Sequence, residues 1–155
     1  MVTVRAAEQA DLPDVKRLFR DYWAEIKADI CFQNFGSELE GLPGAYAPPS
    51  GALFLARDDA GRAVGCAALR ATEKSSCCEM KRLYIAPAAR GTGLGRRLVQ
   101  TIMDVGRRLG YREMRLDTLP ELAAAAALYR AEGFAECPPF GEPGPVKVLY
   151  FSRAL

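Results

Sequence analysis

The stretch Arg90-Gly91-Thr92-Gly93-Leu94-Gly95-Arg96-Arg97 holds the residues of this sequence best suited to grip an anion. Glycines let the backbone approach a phosphate with no Cβ in the way. The apolar periodicity that begins at Leu94 then places free N–H groups and the positive end of a helix dipole beside it. The pattern suits a pyrophosphate. It is not a Walker loop, because no Gly-Lys-Ser/Thr follows, and the third glycine comes one residue too early for the dinucleotide fingerprint. The other reading of the same residues is a glycine-rich turn that merely starts a helix. Much other chemistry is excluded, because the 155 residues include no histidine. That rules out a His general base, a His-based triad and a His metal ligand. The cysteines Cys31, Cys66, Cys77, Cys78 and Cys137 are odd in number and form no C-x-x-C. They read as reduced packing thiols, with no zinc site or disulfide framework, and no metal is expected.

The elements that must position this cradle follow from periodicity and turn chemistry. Residues 2–6 alternate as a strand, and Asp11 stands at an N-cap position before Leu12, Val15, Leu18, Phe19, Tyr22 and Ile26 at helical spacing. Residues 30–50 read as a helical turn inside a long loop, whose aromatics either line a substrate mouth or pack the loop down. Residues 52–57 and 62–70 form a hairpin around Asp58-Asp59-Ala60-Gly61, and a third strand covers 77–86 up to Pro87. Leu94, Leu98, Ile102, Val105 and Leu109 give a helix that stops at Gly110. A strand at 112–118, an alanine-rich helix at 120–132 closed by Gly133, and a last strand at 146–152 complete the chain. The order β-α-α-β-β-β-α-β-α-β-β implies an α/β (α+β) architecture, a mixed sheet covered by helices, built as one domain over residues 1–155.

Composition narrows the partners. Twenty-one Lys+Arg against 19 Asp+Glu leave a formal charge of +2. No general electrostatic pull toward nucleic acid or an anionic membrane follows, so any anion site must be local. No apolar stretch is long enough to span a membrane and the start lacks a signal-like pattern, so the expected location is the cytoplasm.

Arg90, Gly93 and Gly95 match the acetyl-CoA loop Arg/Gln-x-x-Gly-x-Gly/Ala of the GNAT N-acetyltransferases. Leu83-Tyr84-Ile85-Ala86-Pro87 resembles that family's strand exit into the loop. Downstream, Leu128-Tyr129-Arg130-Ala131-Glu132-Gly133-Phe134 is similar to its "LY-x-x-x-GF" signature. The likeness covers most of the chain and is strongest from Cys78 to Phe134. Glu79-Met80-Lys81-Arg82-Leu83-Tyr84, with Leu116-Asp117-Thr118-Leu119-Pro120, looks like one bacterial subgroup with no settled substrate. One position departs: Leu122 stands where many members carry an asparagine near the pantetheine arm. The resemblance implies a central, mostly antiparallel sheet flanked by helices, and acetyl-CoA (coenzyme A) as co-substrate. It also implies direct transfer to a primary amine in a ternary complex, with no acyl-enzyme.

A lysine-like amine of pKa about 10 is almost wholly protonated at neutral pH, so its proton must be taken. With no histidine, carboxylates, a water chain or a tyrosine remain, and Glu79 lies in the strand leading to the cradle. By resemblance Glu79 occupies the position of the general base in the histone-acetylating members; the alternative is a strand glutamate paired with Lys81 or Arg82. Tyr129 matches the family's tyrosine that protonates the departing thiolate, and the acyl oxygen would meet a backbone amide near Leu83, Tyr84 or Ile85. The cofactor-binding set implied is Leu83, Tyr84, Ile85, Arg90, Gly91, Thr92, Gly93, Leu94, Gly95, Arg96 and Tyr129. Arg70, Lys81 and Arg82, with Arg115, place positive charge near the reacting strands. This would suit a small amine that also carries a carboxylate or other anion, or else form only a solvated basic face. A protein or peptide acceptor, a longer acyl-CoA, and a non-catalytic CoA-binding sensor are the rival readings, and a homodimer is plausible for the family.

Overall fold

The computed structural model describes residues 1–26, 35–144 and 146–155. Cys31 and Phe32 lie outside the described residues. In chain order the elements are β1 (Thr3–Ala6), α1 (Leu12–Ile26), α2 (Phe35–Glu40), β2 (Ala52–Arg57), β3 (Ala63–Ala71), β4 (Cys77–Ile85), α3 (Leu94–Arg108), β5 (Glu113–Thr118), α4 (Ala123–Ala131), β6 (Ala135–Glu136) and β7 (Leu149–Ala154). The order expected from the sequence is the order found.

The strands form one sheet, β1-β2-β3-β4-β5-β7-β6. Neighbours pair antiparallel except β4 and β5, which run parallel. A parallel neighbour needs a crossover, and α3 supplies it between these two strands. The stripe Leu94, Leu98, Ile102 and Val105 is buried as its spacing requires, whereas Leu109, at the helix end, is 41% exposed. These side chains pack with Leu69, Met80, Met114, Tyr129 and Phe151 into the core under α3 and α4. On the other sheet face, Val15, Leu18 and Phe19 of α1 close over Leu53, Leu55 and Cys66, with Leu42 and Tyr46 completing the layer. The aromatics of the long loop pack it down where they are described: Phe35 meets Trp23 and Tyr46 meets Phe19, both edge to face.

Three local expectations shift. Asp11 is not the cap of α1. It ends a 3-10 turn over Gln9–Asp11 and closes a capping box with Glu8. Arg5 and Arg57 each reach its buried carboxylate at 2.7 Å. Two guanidiniums and the Glu8 N–H hold its pKa far below the usual carboxylate range. The helix expected from Pro120 begins at Ala123, because the chain first turns through Leu122 N–H to Leu119 O. The last strand starts at Leu149, where pairing with Thr118 begins.

The sheet opens at one place. The β4–β5 ladder runs only through Cys77, Cys78 and Glu79, opposite Glu113, Met114 and Arg115. Both strands continue beyond it, β4 to Ile85 and β5 to Thr118, with no pairing between them. Next to this opening the β3–β4 register slips by one residue, between Cys66 and Ala68. Arg82 there has φ of 60°, the one positive φ outside glycine among the described residues. A bulge of this kind turns the strand over. Met80 packs toward α3 before it, and Leu83 and Ile85 pack toward α3 after it, while Tyr84 joins the α1 side.

Candidate active site

The cradle follows β4 directly. Gly91 and Gly93 have φ of 77° and 85°, the left-handed region in which a side chain is strained. Gly93 is the N-cap of α3 and offers no side-chain cap. The first helical hydrogen bond is donated by Arg97 to Gly93 O at 3.1 Å, so the N–H groups of Leu94, Gly95 and Arg96 are the unclaimed donors with which a helix begins. A Cβ on Gly91 or Gly93 would meet nothing within 4 Å, which leaves room in front of these amides. Gly95 serves closeness instead: a Cβ there would lie 3.3 Å from Leu128 Cδ2 and 3.8 Å from Ile85 Cγ1.

In front of the cradle lies a cavity of about 340 Å³, walled by α1, the end of β4, the glycine loop and α4. Leu83, Tyr84, Ile85, Arg90, Gly91, Gly93, Leu94 and Gly95, all expected at a cofactor, line it. Thr92 and Arg96 do not. The Thr92 hydroxyl donates to Ala89 O at 2.6 Å and ties the loop. Arg96 leans along α3 to Glu132, 3.0 Å away. Arg90 braces the loop, its Nε donating to Ile85 O at 2.9 Å and its terminal nitrogen lying 2.6 Å from the Glu25 carboxylate of α1. Tyr84 donates its hydroxyl to the same Glu25 at 3.1 Å, which ties β4 to α1 at the wall of the cavity.

A second cavity, of about 40 Å³, opens between the diverging strands. Tyr22, Leu83, Leu122 and Ala125 line both cavities, so the two are neighbours through the gap. Tyr129, Lys81 and Asp117 face this smaller space. The Tyr129 ring is wedged against Phe134 and Phe151, and its hydroxyl makes no hydrogen bond among the described residues. Burial pushes its pKa well above that of a free phenol, so it keeps its proton at any working pH. Tyr22, half-buried beside the same space, is pushed up to about 12 by the same cause.

Glu79 is buried at 3% exposure, in register with Arg70 of β3 and Arg115 of β5. Three cations surround it, Arg70, Lys81 and Arg115, each at 3.5 Å. Glu79 lines neither cavity. Arg115 also forks onto Glu73 and lies over the Phe140 ring. Lys81 and Arg82 are not part of a solvated basic face, since each is only 8% exposed. Arg82 grips Glu38 of α2 with two bonds of 2.8 and 2.9 Å and covers the Trp23 ring. Arg70 stays more open, its side chain 37% exposed.

The structure brings in residues that the sequence reading did not single out for the site. Asp117 lies two residues past Arg115 on the same strand face, a place legible from strand alternation once the β4–β5 neighbourhood is known. Tyr22 and Glu25 belong to a helix that periodicity reads only as amphipathic. The thiols of Cys66, Cys77 and Cys78 are buried, and burial pushes Cys66 and Cys78 up to about 12, which suits packing. Among the described residues no cluster of His, Cys, Asp and Glu could hold a metal ion, and no helix is long and apolar enough to cross a membrane.

A crossover helix begun by a glycine cradle beside a splayed parallel pair is the arrangement that the resemblance to acetyl-CoA-dependent transferases implied, and comparison with known proteins supports that class. The profile of the Acetyltransferase (GNAT) family matches residues 12–134. An uncharacterized N-acetyltransferase of Schizosaccharomyces pombe is 43% identical over 140 residues, covering 90% of this chain and 86% of its own. A GNAT-family acetyltransferase from Staphylococcus aureus superposes with a TM-score of 0.83 over 99% of both chains at 16% identity. The acetyltransferase yncA of Salmonella typhimurium, solved with acetyl-CoA, has a TM-score of 0.71 at 20% identity, covering 99% of this chain and 93% of its own. The chain belongs to the GNAT acetyltransferase family: it has the GNAT fold and is an acyl-CoA-dependent acetyltransferase.

Proposed function

We propose that the protein moves the acetyl group of acetyl-CoA to a primary amine of a small molecule, directly and within a ternary complex. One observation carries this reading: the cradle cavity and the Tyr129 cavity meet at the opening between β4 and β5. A pyrophosphate on the free amides of Leu94 to Arg96 and a thioester beside Tyr129 are then reachable by one extended molecule.

The residues fit that co-substrate. Acetyl-CoA supplies an activated acyl carbon and a thiolate leaving group. The cradle amides and the helix dipole offset the charge of its phosphates. The free edge of β4 past Glu79 offers backbone groups to a pantetheine-like chain, as to an added strand. The Tyr129 hydroxyl, unclaimed and protonated, donates a hydrogen bond where sulfur departs. Free thiols have a pKa near 8.5, well below that of the buried phenol. Tyr129 therefore stabilises the leaving sulfur chiefly as a donor and ends the cycle protonated. Glu79, held by three cations, acts as the charge that organises Arg70, Lys81 and Arg115, which is the positioning role rather than that of the base. Arg82 fastens α2 to the sheet through Glu38.

Calorimetric titration with acetyl-CoA, with free CoA and ATP as controls, tests the premise. Micromolar binding of both CoA species but not ATP is expected, followed by thiol release when an amine is added. Absence of CoA binding would overturn the reading. Tight binding without thiol release over a broad amine panel would make the chain a CoA-binding sensor.

A further inference from the structure

The row of side chains on the α1 face of the opening alternates in charge. Arg70, Glu79 and Arg115 stand side by side across β3, β4 and β5. One step further into the opening come Lys81 on β4 and Asp117 on β5, both lining the small cavity with Tyr129. In a closed ladder these two would form a cross-strand ion pair. Here the strands have parted, and no ion pair within 4.0 Å joins them. Lys81 is 8% exposed, and its one ion pair is the 3.5 Å contact with Glu79 that it shares with two arginines. Its ammonium donates no hydrogen bond among the described residues, and Arg115 Nε is buried without a hydrogen-bond partner. Asp117 has no ion pair at all among them.

A buried ammonium with no close acceptor is costly, and so is a carboxylate left facing it across a gap. Both penalties are relieved by a ligand that brings an anion to Lys81 and a cation to Asp117. Burial lowers the proton affinity of Lys81, and attraction to Asp117 and Glu79 offsets this only in part. The acyl carbon must lie beside Tyr129, so the cationic end of such a ligand sits where the attacking nitrogen is needed.

We infer that the acceptor is a zwitterion of the amino-acid type, its carboxylate bound by Lys81 with Arg70 behind it and its ammonium received by Asp117. This rests on the acetyl-transfer reading above and names its substrate class. The ammonium gives one proton to Asp117, directly or through a water that the cavity can hold. The freed nitrogen forms its bond to the acyl carbon as the C–S pair leaves with sulfur. The second proton lost by nitrogen balances the one that sulfur takes up, and Asp117 releases its proton to solvent.

Thiol release is measured with acetyl-CoA and matched acceptors: α-amino acids, their carboxamides and the corresponding decarboxylated amines. Amino acids should exceed their carboxamides in kcat/KM by at least about thirtyfold, the lower range for losing one partner of a buried charge pair. Lys81→Met should bring that ratio toward one, and Lys81→Arg should restore part of it, with circular dichroism checking both folds. Asp117→Asn should lower kcat for every acceptor. If acetyl-CoA binds and neutral amines match or surpass amino acids, or no amino acid is acetylated, the inference is overturned while the transfer reading stands. If acetyl-CoA does not bind, the transfer reading itself has failed.

Discussion

Glu79 lies in register with Arg115 across the last rung of the parallel β4–β5 ladder, and the sheet opens immediately beyond that pair. Their 3.5 Å contact, with Arg70 closing the other side, makes this rung a charged clamp at the edge of the active site. Glu79→Gln removes the one carboxylate common to three cations. Breaking such a buried cluster from its anionic side is expected to cost roughly 3 kcal/mol of stability, because the cations are left uncompensated. As a positioning residue, Glu79 should lower activity by a similar factor at all pH values in its Gln variant. A loss concentrated at low pH in the kcat profile would instead identify Glu79 as the base.

Tyr129→Phe keeps the ring between Phe134 and Phe151 and deletes only the hydroxyl. Because that hydroxyl has no partner among the described residues, stability should change little. Turnover should fall by about 10²–10³, the usual cost of losing one hydrogen-bond donor to charge developing in the transition state, with acetyl-CoA affinity nearly unchanged. The raised pKa fixes the sign of the pH response. A phenol pushed above its ordinary pKa stays protonated as pH rises, so the wild-type kcat profile should show no alkaline fall from Tyr129 below about pH 10. Unchanged turnover in the Phe variant would remove the residue from the mechanism.

Which parts of this site could be read in advance depends on how local their signals are. The α3 stripe and the glycines before it are periodic and contiguous, so the helix, its start and the cradle are legible, and Gly91 and Gly93 occupy the left-handed conformations their type suggests. The linked residues Arg90, Gly93, Gly95 and Tyr129 carried the family. What stayed hidden is tertiary. Arg82 adopts a positive φ with nothing in its type to announce it. Arg90 meets Glu25 across 65 positions of chain. Where the β4–β5 ladder stops decides whether Lys81 and Asp117 pair or face a cavity, and no single-strand pattern encodes that. Asp11 was displaced from its expected cap by Arg5 and Arg57, one of them from a strand more than forty residues away.

The two inner glycines of the cradle should fail differently when given a Cβ. Gly93→Ala places alanine at φ 85° with open space around it, so the cost is backbone strain of about 1–2 kcal/mol at the start of α3. Gly95→Ala keeps a helical backbone but pushes on the Leu128 side chain from 3.3 Å, and Leu128 lines the cofactor cavity. Denaturant midpoints should drop for Gly93→Ala more than for Gly95→Ala, while calorimetry should show weakened acetyl-CoA binding in both. Full affinity in both variants would mean that the cradle geometry does not govern binding.

Lys81 tests whether a binding group is held at the expense of the fold. Burial lowers its proton affinity in the folded protein, so the unfolded chain binds more protons than the folded one as pH approaches the ordinary lysine value near 10.4. Stability should therefore rise with pH over that alkaline interval in the wild type, as far as this group contributes. Lys81→Met removes the ammonium while Glu79 keeps Arg70 and Arg115, and Asp117, which faces Lys81 across the cavity without an ion pair, loses an attraction but no salt bridge. The variant should be more stable at pH 7 by ~1–2 kcal/mol, in line with replacing buried charge by an apolar side chain, and the alkaline rise should be absent. Urea denaturation at pH 7 and pH 10 measures both. A destabilised Lys81→Met protein would show that the 3.5 Å pair with Glu79 already satisfies the lysine, and that the charge is part of the fold rather than reserved for a ligand.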